Sequence, residues 1–225
     1  SAVQTAINHS KNENAKIILF LVTDEINSFS AAQYLREQDS QITYKELDVL
    51  DNCRALIQKF PNCQLEFKRQ SGITAPLLKN LLQFYSVDLI LLTKAVITSK
   101  KSVHINLVQS IENQKTPILR LINDSTTQLN KAIYLENALS RLNIDDVQHY
   151  MQSQFPSQKI SQVLKKEQET SGYINSLLAE ILSKNDIDFV IETRTSERSK
   201  IKNKKQSEIN QHFDIPVLSL HEGTV

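Results

Sequence analysis

The residues that could do chemistry are concentrated in a basic run near the end of the chain. The cationic side chains of this run are Arg194, Arg198, Lys200, Lys202, Lys204 and Lys205. Charges of this kind can bind a phosphate group, so one interpretation is a site for a small anionic ligand. The other is a solvated loop rich in Lys, Ser and Asn, which is the more frequent origin of a charge run. No aromatic residue interleaves the charges, so bases would have no stacking platform and we do not expect nucleic-acid binding.

Other polar residues are scattered and predict neither a metal site nor catalysis. No two histidines stand at i, i+4 beside a carboxylate, as they do in zinc hydrolases. The histidines are His9, His104, His149, His212 and His221. Ser71 and Ser171 precede glycine, but neither lies in the G-x-S-x-G turn that exposes a nucleophile. We therefore expect no catalytic residue, no metal, no cofactor and no enzymatic activity.

Composition favours a cytoplasmic protein that does not insert into a membrane. The net charge is +1, and the longest strictly apolar run is Ile17 to Val22, whereas a membrane-spanning helix needs about 20 apolar residues. The two cysteines, with no export signal, favour reduced thiols that pack in the interior over a regulatory disulfide. The chain begins with Ser instead of Met, so we expect it to be a processed or cloned piece of a longer protein.

Two stretches one hundred positions apart have nearly the same pattern. "SGITAPLLKNLLQFYSVDLILLT" (71–93) and "SGYINSLLAEILSKNDIDFVIET" (171–193) share Ser, Gly, three Leu, Asp and Thr at matching positions. "KTPILRL" (115–121) and "DIPVLSL" (214–220) extend the match. A repeat of about 100 residues indicates a duplicated domain, because solenoid repeats run about 20–50 residues. We predict an N-terminal extension (1–15), a first unit (16–122) and a second unit (123–225).

Each unit alternates short apolar runs with helical patterns, which favours an α/β fold with a mostly parallel sheet and helices on both faces. The predicted strands are "KIILFLV", "ITYKELDV", "CQLEFK", "VDLILLT" and "PILRL" in the first unit, and "KAIYLE", "QKISQVL", "IDFVIET" and "PVLSL" in the second. The predicted helices are Ser28–Gln38, a helix capped by Asp51 that stops near Pro61, a Leu-rich helix near 77–82, Val103–Glu112, Tyr173–Lys184 and Lys204–His212. The second unit is shortened at its start.

This pattern resembles the universal stress protein family, in tandem form. The resemblance covers most of 16–122 and about 130–220, and it implies an adenine-nucleotide alpha-hydrolase-like fold. Asp24 matches the family's adenine-side aspartate. The family's ATP-binding members carry a G-x-x-G loop, then about nine residues and G-S/T, after the fourth strand. The matching stretches here contain no glycine and carry instead the candidate anion-binding residues Lys94, Lys100, Lys101, Arg194, Arg198, Lys200 and Lys204.

The resemblance implies a non-catalytic stress-response binding or signalling module that does not bind ATP. Units of the family associate through the edge of the last strand, so we expect "PILRL" to lie beside "PVLSL", or these strands to contact a protein partner. One alternative is a cytosolic regulatory domain of a membrane cation transporter or antiporter, which hydrophobic spans encoded upstream would favour. A nucleotide-binding protein or hydrolase is the other alternative.

Overall fold

A computed structural model describes residues 2–10, 14–23, 43–122, 129–137, 140, 142–155, 159–166, 171–194 and 215–224. The predicted helices at 28–38 and 204–212 lie outside these residues. The extension and the first unit contain α1 (Ala2–His9), β1 (Ala15–Thr23), α2 (Tyr44–Ile57), β2 (Cys63–Ser71), α3 (Ala75–Phe84), β3 (Ile90–Leu92), α4 (Lys94–Ile97), α5 (Ser102–Glu112) and β4 (Ile118–Arg120). The second unit contains β5 (Lys131–Asn137), α6 (Ile144–Gln154), β6 (Lys159–Lys166), α7 (Ser171–Lys184), β7 (Phe189–Arg194) and β8 (Val217–His221).

The described strands form one six-stranded sheet, in the order β3-β4-β8-β7-β5-β6, and one two-stranded sheet, β1-β2. Every pairing is parallel except that of β4 with β8. There Leu119 pairs with Leu218 and Arg120 with Val217 in an antiparallel register. "PILRL" therefore lies beside "PVLSL", as expected, and this pairing joins β3 and β4 of the first unit to the strands of the second unit.

Successive residues of a strand point to opposite faces of the sheet. Because the strands are apolar at successive positions, both faces are hydrophobic, and helices cover both. Leu119 and Tyr134 pack with Val147 and Met151 of α6 on one face. Their neighbours point the other way: Ile118 packs with Leu78 of α3 and Leu107 of α5, and Ile133 packs with Leu178 of α7. The α/β fold with parallel strands and helices on both faces is confirmed.

The predicted strand "ITYKELDV" is wrong, because α2 occupies most of it. The Thr43 hydroxyl accepts a hydrogen bond from the Glu46 N–H (3.3 Å), and the Glu46 carboxylate accepts one from the Thr43 N–H (2.8 Å). This T-x-x-E capping box starts a helix, and its alternating apolar residues stay on the surface, with Tyr44 92% exposed. Asp51 is therefore not a cap but lies inside α2, where it accepts from Arg54 (3.1 Å).

Gly72 breaks the chain after β2, as expected. Its φ of 62° lies in the left-handed region that favours glycine. The chain then enters α3 through Thr74, whose hydroxyl accepts from the Leu77 N–H (3.4 Å). The glycine turn and the cap together place the Leu-rich face of α3 against the sheet, where Leu78 is buried.

Within the described residues, the second unit has as many strands as the first, and its first connection is shorter. "KAIYLE" forms β5, which lies between β7 and β6. Six residues (138–143) separate β5 from α6, whereas twenty (24–43) separate β1 from α2. Four strands are described in each unit, so β5 is the opening strand of the second one.

The N-terminal extension contains a helix that the sequence analysis did not predict. Val3, Thr5 and Ile7 of α1 are buried, and Val3 and Ile7 pack with Cys53 and Ile57 of α2. The His9 ring lies 4.5 Å from the Phe155 ring, centroid to centroid. Because Phe155 ends α6, α1 contacts both units.

Candidate functional site

Open parallel α/β sheets bind ligands beyond the carboxyl ends of their strands, where neighbouring connections diverge. In the first unit this place lies after β1 and β3, where Val22 near the end of β1 and Leu92 at the end of β3 pack in one apolar cluster. Residues 93–101 then lead from β3 to α5. In the second unit the corresponding place lies after β5 and β7, which are neighbours in the sheet.

In the connection after β3, backbone N–H groups donate hydrogen bonds to acceptors within the connection itself. The N–H groups of Val96 and Ile97 donate to the Thr93 carbonyl (3.0 and 3.1 Å), and the Thr98 N–H donates to the Lys94 carbonyl (2.9 Å). The Ser99 N–H donates to the Val96 carbonyl (3.3 Å). Further along, the Lys101 N–H donates to the Ser99 hydroxyl (3.2 Å). A loop that wraps phosphate must point such groups outward, and these five point inward.

Side-chain packing explains why this connection is helical. Val96 and Ile97 pack against the apolar cluster around Val22 and Leu92, and without glycine the segment has no residue suited to a positive φ. The Ser99 hydroxyl also lies 2.7 Å from Nδ1 of His104 in α5. The turn is thus held at both ends, and the five amides named above stay engaged within it.

The predicted anion-binding residues of the first unit are all on the surface. Lys94, Lys100 and Lys101 are exposed at the two ends of this connection. Their ammonium groups could bind an anion by charge alone. Asp24, Arg198, Lys200 and Lys204 lie outside the described residues, so their candidate roles stay predictions.

Arg194 lies in the interior, between the two units. It is 7% exposed, and its Nη1 donates to the Glu112 and Gln114 carbonyls (both 2.5 Å), while Nη2 donates to the Thr116 carbonyl (2.5 Å). Burial, and then the charge of Arg120, lower the pKa of the Arg194 guanidinium to about 10. These carbonyls lie at the end of α5 and the turn after it, where a helix leaves acceptors unpaired. The guanidinium thus joins β7 to the first unit.

A buried ion-pair network beside Arg194 was missed from the sequence. Arg120 of β4 donates to the Glu192 carboxylate of β7 (2.9 Å) and to the Glu112 carboxylate of α5 (3.1 Å). Arg120 and Glu192 are each 8% exposed. The available signal was a charged residue within each apolar strand, "ILRL" and "FVIET", since buried charges in native proteins are paired.

Two buried hydroxyls lie near the carboxyl end of the second unit's sheet. Tyr134 on β5 and Thr193 on β7 are 0% and 3% exposed, and among the described residues neither hydroxyl has a hydrogen-bond partner of good geometry, although the two groups are close enough to interact. Burial raises the pKa of the Tyr134 phenol, an effect that the facing Thr193 hydroxyl partly offsets. The phenol therefore stays protonated, and these groups offer hydrogen bonds but no charge.

Both cysteines are free thiols within one apolar cluster at the opposite end of the first unit. Burial raises the pKa of the Cys53 thiol, so Cys53 is a weak nucleophile. Cys63 lines a shallow groove of about 290 Å³, together with Ile57, Phe60 and Leu65. This groove lies at the start of β2, away from the carboxyl ends where such sheets bind ligands.

The part of the chain that the structure describes has neither a membrane-spanning helix nor a cluster of metal-ligating side chains. No helix there combines the length and the apolar character needed to cross a bilayer. Nor do three or more His, Cys, Asp or Glu side chains converge within those residues in a way that could hold a metal ion.

The fold is that of the universal stress proteins. No protein-family model and no curated protein matches the chain. Solved structures that match include a universal stress protein from Archaeoglobus fulgidus, with a TM-score of 0.56 and 9% identity over 98% of this chain and 90% of that one. A functionally unknown protein from Pseudomonas aeruginosa gives a TM-score of 0.50 and 9% identity, over 95% and 94% of the two chains. At such identities the likeness shows the fold alone.

Proposed function

We propose that the chain is a non-catalytic, cytoplasmic binding or signalling module of the stress-protein type that does not bind ATP. The observation that carries this proposal is the connection after β3. The amides of residues 96–99 and 101 donate within that connection, so they are unavailable to a triphosphate. The exposed Lys94, Lys100 and Lys101 leave room for a small anion held by side-chain charge.

The proposal includes a tandem origin, in which the two units form an internal pseudo-dimer. The β4–β8 pairing, the Arg120–Glu192 ion pair and the Arg194 hydrogen bonds all cross from one unit to the other. Both last strands have neighbours on each side, β3 and β8 for β4, and β4 and β7 for β8. Their edges are therefore occupied within the chain, and a protein partner must use another surface.

Thermal unfolding with nucleotides tests this function. A ligand at about 100 times its Kd stabilises a protein by about 2.7 kcal/mol, which raises the Tm of a chain of this size by several degrees. We expect no change in Tm with ATP and Mg²⁺, with AMP or with cyclic dinucleotides. An ATP-binding protein of the same fold, measured under the same conditions, is the positive control. A shift of several degrees with ATP that inorganic phosphate does not reproduce would overturn the proposal.

A matched variant separates the side-chain anion site from a nucleotide site. Lys100→Ala/Lys101→Ala removes two exposed ammonium groups and leaves the hydrogen-bonded turn in place. If side-chain charge holds an anion, phosphate raises the Tm of the natural chain and not that of this variant. An equal response of both proteins rules out these two lysines.

A further inference from the structure

The outer edge of β2 presents backbone groups that pair with no other strand among the residues the structure describes. β1 and β2 are in parallel register from Ala15 with Cys63 to Thr23 with Ser71. At the two ends of this ladder the Ala15 N–H donates to the Asn62 carbonyl, and the Gly72 N–H donates to the Thr23 carbonyl. Because a strand's residues face its neighbour alternately, the even-numbered residues of β2 face β1. The N–H and C=O groups of Leu65 and Phe67 therefore point away from the sheet.

Two of the three charges on this strand, Glu66 and Lys68, are self-complementary about Phe67, the middle residue of β2. Glu66 and Lys68 flank it on one face of the strand, 2.7 Å apart, and their side chains are 28% and 43% exposed. An antiparallel copy of the strand centred on Phe67 would place Glu66 of each chain opposite Lys68 of the other. Opposite charges facing each other stabilise a strand pair, whereas like charges destabilise it.

We propose that β2 pairs with β2 of a second copy of this chain, antiparallel and centred on Phe67, in a two-fold symmetric dimer. The two Phe67 residues exchange a pair of N–H···O=C bonds, because their backbone groups face outward. Glu66 and Lys68 of the other copy then occupy the non-hydrogen-bonded positions, where Cα atoms approach to about 4.5 Å and side chains are closest. The dimer also covers the outward backbone groups of Leu65 and Phe67, and unpaired groups on a strand edge invite pairing.

Another edge strand, β6, fits β2 of a second copy less well. β6 is the far edge of the six-stranded sheet, and its ends are Lys159 and Lys166. Pairing β2 with β6 of another copy uses two different edges, so it builds an open chain of molecules and not a closed dimer.

Sedimentation equilibrium over a wide concentration range, with charge-reversed variants, tests the proposal. Lys68→Glu places Glu opposite Glu across the two-fold axis, and Glu66→Lys places Lys opposite Lys. Each variant alone should dimerise at least about tenfold more weakly than the natural chain. A one-to-one mixture of the two restores both attractive pairs, so it should dimerise nearly as tightly as the natural chain. Circular dichroism checks that each variant is folded.

Hydrogen exchange of the natural chain gives a readout that needs no variant. The amides of Leu65 and Phe67 should exchange at least about tenfold more slowly in the dimer than at high dilution. Phe67→Pro removes one outward donor and no bond to β1, as edge strands allow, and it should weaken the dimer. A natural chain that stays monomeric, assemblies that grow beyond two copies, or variants that dimerise unchanged would each overturn the proposal.

Discussion

At the residue scale, charged side chains decide how the two units are joined. Arg194 is part of a basic run, and it was a candidate for binding an anion from outside the protein. Its donors instead meet three backbone carbonyls of the first unit. A planar guanidinium with several fixed donors suits such a task better than a lysine ammonium. Arg120 and Glu192 add a buried ion pair across the same boundary.

Glu192→Gln tests the importance of that pair. The change leaves the Arg120 guanidinium buried with only the half-exposed Glu112 as its charged partner. We expect the free energy of unfolding, measured in urea, to fall by about 2–4 kcal/mol, since breaking a buried pair leaves an uncompensated charge. Glu180→Gln is the matched control, because its pair with Lys184 is exposed and such pairs contribute about 0–1 kcal/mol. Equal, small losses in both variants would show that the Arg120–Glu192 pair does not stabilise the boundary.

His221 makes stability depend on pH. Burial, then the charges of Arg194 and Lys115, lower the pKa of this imidazole despite the opposing effect of Glu222, and its Nδ1 accepts from the Gly223 N–H (2.9 Å). The unfolded chain therefore takes up the proton first. The contribution of the neutral His221 to the free energy of unfolding is complete above a pH of about 6.5. It is lost as the pH falls from there through the pKa of the folded state.

Urea unfolding of the natural chain and of His221→Gln at a series of pH values tests this dependence. The stability of the natural chain should fall below pH of about 6.5, and the variant should lose less over the same range. Parallel curves for the two proteins would assign the pH dependence to other groups.

At the element scale, local capping overrides apolar alternation. The residues "ITYKELDV" alternate like a strand, yet Thr43 and Glu46 form a reciprocal cap that starts α2. A hydroxyl that accepts the first free amides of a helix contributes about 1 kcal/mol. The backbone hydrogen bond from Thr43 also lowers the pKa of the Glu46 carboxyl, so the cap holds its charged form.

Thr43→Ala should destabilise the protein by about 1 kcal/mol, because the Glu46 amide loses its acceptor. Thr43→Ser, which keeps the hydroxyl, should stay within about 0.5 kcal/mol of the natural chain. Urea unfolding measures both. If the two variants are equally stable, the cap does not stabilise α2.

Most strands could be predicted because their apolar runs are short and continuous. The pairing of "PILRL" with "PVLSL" followed from the resemblance to the universal stress proteins, and an unpaired edge favours such association. The start of α2 was missed because a strand-like period of two coincides with a capping motif. Contacts between distant residues were also missed: the three carbonyls bound by Arg194 lie about 80 positions away in the chain, and no local pattern encodes them.

At the scale of the whole molecule, β3 and β4 of the first unit lie in one sheet with the four described strands of the second unit. Calorimetry should therefore show a single cooperative unfolding transition, with equal calorimetric and van't Hoff enthalpies. Glu192→Gln should lower the Tm of that transition without splitting it. Two separate transitions in the natural chain would mean that the β4–β8 boundary does not couple the units.

The absence of ATP binding through the connection after β3 is the central claim, and the amide signals of that connection test it most directly. The measurement is a titration of ATP and Mg²⁺ into the ¹⁵N-labelled chain. We predict that the amide resonances of Val96, Ile97, Thr98 and Ser99 do not shift, because these amide protons are hydrogen-bonded within the turn. Saturable movement of these four resonances with ATP would contradict the account.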